Sequence, residues 1–93
     1  EELESLRRTL DQLDSELVAV FEQRMDTSRR VSAWKLAHQR PVLDPEREAR
    51  VLDTRASMCR DPRWAPAVRQ LYETIMALSC AEQEAMMKEA EQG

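Results

Sequence analysis

Apolar residues recur at Leu3, Leu6, Leu10, Leu13, Leu17, Val20 and Phe21, in mostly alternating steps of three and four. That spacing lays one continuous stripe along an amphipathic helix. Pro41 is the first residue able to break it, and the single Gly lies at position 93. The remaining prolines, Pro45, Pro62 and Pro66, fall with Pro41 in two short segments. Proline is accepted in the first turn of a helix and poorly tolerated inside one. The pattern therefore predicts three helices, over about 3–39, 45–60 and 65–90, forming a single all-α domain across residues 1–93.

The start of the second helix is well marked. Asp44 can cap free backbone amides, Pro45 suits the first helical position, and Glu46 and Glu48 complement the helix dipole. The third helix has two candidate starts, Asp61-Pro62 and Ala65-Pro66, and the pattern does not choose between them.

A first helix of ~37 residues is ~55 Å long, more than the width of a small domain. The other two together have fewer residues than would cover it twice over as a compact bundle. Its stripe calls for a partner helix, so the first helix is expected to pack along its copy in a second chain. The alternative is a monomeric three-helix bundle with the first helix protruding.

Continued past Phe21, the same face carries Arg24, Ser28, Val31 and Lys35. Arg24 and Lys35 are three turns apart and point within ~20° of each other. On the third helix, Val68, Leu71, Tyr72, Ile75 and Met86 mark the apolar face, with Ser79 near its middle and Gln83 at its edge. On the second, Glu48 shares the face of Val51 and Leu52. Each helix thus directs polar groups toward the core. Cations there imply either buried ion pairs or a bound anion, and periodicity leaves both open. Polar groups converging between helices are a recurrent site architecture.

Composition narrows the choice. Charged residues make up 34% of the 93 residues and hydrophobic ones 42%, with few aromatics, which favours helix over strand. A net charge of -4 without a basic cluster argues against nucleic acid as a partner. No apolar run approaches the roughly 18 residues of a membrane span, and no signal-peptide pattern is present. Cys59 and Cys80 lack metal-ligand spacing and read as ordinary thiols of a cytoplasmic protein. His38, the single histidine, sits with Gln39 at the end of the first helix, where both are expected to be solvated. The first residue is Glu rather than Met, compatible with a piece of a longer protein.

The segment LRRTLDQLD at 6–14, then Arg24, Lys35, the run RPVLDPERE at 40–48, and finally Ser79 and Gln83 follow one another in an order that resembles the all-helical chorismate mutases. Single elements are common; the combination spans nearly the whole chain. The resemblance implies an intertwined homodimer with two active sites. It also implies that Arg7, Arg24, Lys35, Asp44, Arg47, Glu48, Ser79 and Gln83 bind substrate, with Lys35, Gln83 and Arg24 catalytic. Arg7 precedes Arg24 by ~25 Å along one helix, so the two cannot hold one small molecule within one chain. The resemblance implies that Arg7 reaches into the partner's site.

The implied reaction converts chorismate to prephenate and needs neither metal nor cofactor. The substrate must be held compact with its reacting ends together. By the resemblance, Arg24 and the partner's arginine grip its carboxylates, helped by Ser79 and, more weakly, Arg47. Lys35 and Gln83 donate to the ether oxygen as it gains negative charge. Glu48 accepts from the ring hydroxyl, the alternative being an ion pair with Arg55 or Arg47. Asp44 acts mainly as a helix cap, placing the start of the second helix over the site. Three rival functions share the scaffold: a mutase for 4-amino-4-deoxychorismate, an isochorismate pyruvate-lyase, and a non-catalytic domain that binds chorismate or prephenate for regulation.

Overall fold

The computed structural model of the protein describes residues 1–93. It contains three α-helices and no strand: α1 spans Glu2–Ala37, α2 Pro45–Ser57 and α3 Ala65–Gln92, with a 3₁₀ turn over Pro62–Trp64 before α3. The predicted all-helical class and helix order are therefore observed. The differences lie at the ends, and each has a local cause.

Helix α1 stops at Ala37 rather than about 39 because Gln39 takes a φ of 57°. The Arg40 N–H then donates to the Lys35 carbonyl at 2.8 Å and the Gln39 N–H to the Leu36 carbonyl at 3.3 Å. These two bonds form a Schellman end, usually built with Gly at the left-handed position. Helix α2 starts as predicted, the Asp44 carboxylate accepting from the Arg47 N–H at 3.1 Å with Pro45 in the first turn. It ends at Ser57 rather than about 60, and Asp61, which precedes a proline, is extended. Both candidate starts of the third helix are used. Asp61 caps the 3₁₀ turn by accepting from the Arg63 N–H at 3.0 Å, and Ala65-Pro66 opens α3 directly after it.

Helix α3 packs against both α1 and α2. Arg69 on α3 pairs with Asp53 on α2 at 2.7 Å, and Arg29 on α1 pairs with Glu82 on α3. Both pairs are exposed and contribute little to stability. The tightest packing surrounds Val42, Val51, Ser32 and Ser79, the only buried residues among the 93. Ser32 is fully buried and its hydroxyl has no partner, which makes it a small-residue contact where α1 approaches the other helices.

The rest of α1 projects away. The chain measures 57 × 26 × 16 Å and has a radius of gyration of 16.8 Å, against about 12 Å for a compact domain of this length. Leu3, Leu6, Leu10, Leu13 and Leu17 are all at least half exposed. Leu71 and Leu78 on α3 are also exposed, so the apolar face expected of the third helix is only partly covered within one chain. Trp34 stacks on its own helix neighbour His38, with ring centroids 4.1 Å apart, and lies under the Arg40 guanidinium. His38 is thus exposed, as expected, but engaged.

Gln39→Gly should relieve the left-handed strain and stabilise the fold by about 1 kcal/mol. The urea midpoint, measured at fixed protein concentration, is expected to rise; an unchanged or lower midpoint would show that the Gln39 conformation carries no cost.

Candidate functional site

The polar residues that interrupt the helix faces converge on one cavity of about 350 Å³, a volume suited to a single small molecule. Helix α1 contributes Arg24, Ser28, Val31 and Lys35 along one side. Asp44, Arg47 and Glu48 come from the cap and first turn of α2, and Ser79 and Gln83 from α3. Every residue singled out from the sequence is therefore at the cavity except Arg7. That side chain is 62% exposed on the N-terminal part of α1 and pairs with Glu4 at 3.1 Å.

The geometry follows from local structure. The 3.6-residue repeat keeps Arg24 and Lys35 on one face of a helix that nothing interrupts. The Schellman turn then reverses the chain, so that Val42 is buried beside α1. The Val42 carbonyl accepts from the Lys35 ammonium at 3.3 Å, which steers that long flexible side chain into the cavity. Arg24 lies 5.7 Å from the centroid of the Tyr72 ring, a distance at which the ring face attracts the guanidinium. Ser79 is buried, and its hydroxyl meets only the Met25 sulfur at 3.7 Å, a weak acceptor that leaves the donor available.

The charges at the cavity do not neutralise one another. The chain's ion pairs are Arg7–Glu4, Arg29–Glu82, Arg30–Asp26, Arg63–Asp61 and Arg69–Asp53. None includes Arg24, Lys35, Arg47 or Glu48. The ion pair considered for Glu48, with Arg55 or Arg47, is thus not formed; Arg55 donates instead to the Thr54 hydroxyl at 3.0 Å. The Asp44 carboxylate is occupied as the helix cap. Three cations therefore face a cavity with one free carboxylate, an arrangement that attracts an anion and offers Glu48 as a hydrogen-bond acceptor. No group of His, Cys, Asp and Glu has metal-binding geometry.

Sequence reasoning did not single out Thr27, Val42, Val51 or Met76, which complete the lining. Val51 and Met76 are ordinary core-type residues whose role depends on packing. Thr27 is turned back, its hydroxyl donating to the Gln23 carbonyl at 2.7 Å. Val42 had one signal: with Leu43 it forms an aliphatic pair between Pro41 and the capping Asp44.

Comparison with known proteins finds sequences similar to this chain. Residues 6–84 match the family described as chorismate mutase type II. A 4-amino-4-deoxychorismate mutase of Streptomyces pristinaespiralis is 35% identical over 79 residues, covering 84% of this chain. The chain spans 61% of that relative's length. A 4-amino-4-deoxychorismate mutase of Streptomyces venezuelae is 30% identical over 87 residues, covering 92% of this chain and 84% of the relative. No solved structure gives a significant match.

One thiol reports on the cavity wall. Burial pushes the Cys80 thiol above its ordinary value, and the carboxylates of Glu84 and Glu48 add to the effect. Less thiolate is then present at a given pH than for free cysteine. In a Cys59→Ser background, the pH profile of Cys80 alkylation should be displaced upward relative to free cysteine, and Glu48→Gln should move it partly back. A profile indifferent to Glu48→Gln would remove Glu48 from the surroundings of the thiol.

Proposed function

The chain belongs to the chorismate mutase type II family, and on that premise we propose that it catalyses the rearrangement of chorismate to prephenate, a step toward phenylalanine and tyrosine. The observation that carries this reading is the set of unpaired cations, Arg24, Lys35 and Arg47, around one cavity that also holds Glu48, Ser79 and Gln83. Residues 1–93 act in this reading as one domain.

The reaction is intramolecular. One carbon–carbon bond forms as one ether carbon–oxygen bond breaks, and no atom enters or leaves. The protein must fold the substrate so that its ends meet, and then stabilise charge that was not there before. Arg24 holds one carboxylate through its planar fork, with Ser79 donating to it and Arg47 adding positive potential. Lys35 and Gln83 donate to the ether oxygen. The Val42 carbonyl keeps the Lys35 ammonium directed inward, so little reorganisation is needed when the charge develops. Gln83 donates as a neutral amide and needs no protonation. Glu48, free of ion pairs, accepts from the ring substituent.

Arg7 supplies the second carboxylate grip from a partner chain. Two observations support a dimer: the half-exposed leucine stripe of α1, and the small number of buried residues in one chain. A helix face this apolar and this long is stable in water only when covered. The N-terminal half of α1, lying along a second copy, would carry Arg7 toward the partner's cavity. In this reading the enzyme works in the cytoplasm.

A second reading is favoured by the names of both relatives: the substrate is 4-amino-4-deoxychorismate. The same groups would serve, and a free Glu48 carboxylate accepts from an amine as readily as from a hydroxyl. Steady-state assays with each substrate separate the two readings. Turnover of chorismate with the higher kcat/KM is expected; preference for the amino compound would establish the second reading, and turnover of neither would end both.

Lys35→Ala is expected to lower kcat by ~10²–10³, the loss typical of an oxyanion donor, while leaving the dimer folded. Near-normal turnover would remove Lys35 from the mechanism. Sedimentation should give twice the 10.8 kDa of the chain. Mixing inactive Arg7→Ala and Arg24→Ala proteins should restore part of the activity, because half the mixed dimer's sites are intact. Subunit exchange without recovered activity would refute the cross-chain role of Arg7.

A further inference from the structure

We propose that Ser28 is a further substrate-binding residue, whose hydroxyl donates to the carboxylate held by Arg24; the proposal rests on the mutase reading above. Ser28 lies one turn beyond Arg24 and about two turns before Lys35, within ~40° of both around the helix axis, and it lines the cavity they line. A hydroxyl at that height stands between the group that grips the substrate and the group that meets its developing charge.

The hydroxyl is free for that work. Helical Ser and Thr commonly turn back to donate to a carbonyl in the preceding turn. Thr9, Thr27, Thr54, Ser57 and Thr74 do so in this chain. Ser28 makes no such bond, and it lines the cavity. A guanidinium fork engages a carboxylate along two parallel N–H bonds and leaves further acceptor sites on both oxygens. Ser28 occupies one side of the cavity, on α1, while Ser79 is opposite on α3. Donors from two helices then fix the carboxylate in rotation as well as position, which a single arginine does not.

A carboxylate that does not react carries the same charge in the ground and transition states. Its loss of a donor should therefore weaken binding without slowing chemistry, raising KM with little change in kcat. Hydrogen bonds to charged groups are the strong ones, so the expected rise in KM for Ser28→Ala is about tenfold, with kcat within about twofold of the unsubstituted protein. Alanine is the better helix former, so the helix itself is not put at risk. Prephenate titrated into both proteins should bind the variant about tenfold more weakly, by the same argument.

The outcomes are distinct. If the unsubstituted protein neither turns over chorismate nor binds prephenate, the mutase reading fails and this proposal with it. If it does both and Ser28→Ala matches it in KM and in prephenate affinity, the Ser28 role alone is overturned. A variant with depressed kcat and unchanged KM also overturns it, since that pattern assigns Ser28 to the reacting atoms or to the packing of α1.

Discussion

Helix α1 has no residue at which it can bend. From Glu2 to Ala37 it contains neither Gly nor Pro, and its apolar stripe runs without interruption until it meets Arg24. A rigid rod of that length cannot fold back on itself, and in this chain the two shorter helices leave its N-terminal leucines exposed. The remainder of the architecture follows. The C-terminal part of α1 shares a small, tightly packed region with α2 and α3, where Val42, Val51, Ser32 and Ser79 are buried. The N-terminal part keeps its leucines exposed. One element thus supplies both a wall of the cavity and an uncovered apolar face, so site and assembly are coupled through a single helix.

Within the packed end, electrostatics sets the character of the cavity. Cations beside a partly desolvated space are costly unless something compensates them. Here the acidic residues that could do so are engaged elsewhere or turned outward: Asp44 caps α2, Asp53 pairs with Arg69, and Glu82 pairs with Arg29. Arg24, Lys35 and Arg47 are left without carboxylate partners. They are instead steadied by weaker neighbours, the Tyr72 ring for Arg24 and the Val42 carbonyl for Lys35. Such contacts orient a charge without neutralising it. An anionic ligand would then gain the attraction that an internal ion pair would have consumed.

Under the proposed function, the same organisation makes chorismate and its amino analogue close rivals. Both present the dicarboxylate and ether that the cationic wall would engage, and they differ at one ring substituent. That difference falls to Glu48, whose carboxylate is unpaired, and an unpaired carboxylate accepts from either substituent. In the proposed reading, substrate choice rests on one acceptor and its surroundings, while the rearrangement rests on groups common to both.

Much of this was legible in the sequence, because it depends on regularities within single elements. The helical repeat fixes the angle between Arg24 and Lys35 wherever the helix lies, and proline with a preceding Asp fixes where α2 begins. The order of motifs added Asp44, Arg47, Glu48, Ser79 and Gln83, and the fold gathers all of them at one cavity. Only the tertiary structure decided which partners those groups take. Glu48 forms neither ion pair considered as its alternative, Arg55 turning to Thr54, and Lys35 is steered by Val42, a residue without polar side-chain chemistry. It likewise decided that Asp61 and Ala65 both serve as starts, and that Ser32 marks a close helix approach. Local geometry is set by a few neighbouring residues and can be read along the chain; pairing across helices depends on distances that exist only after the helices have packed.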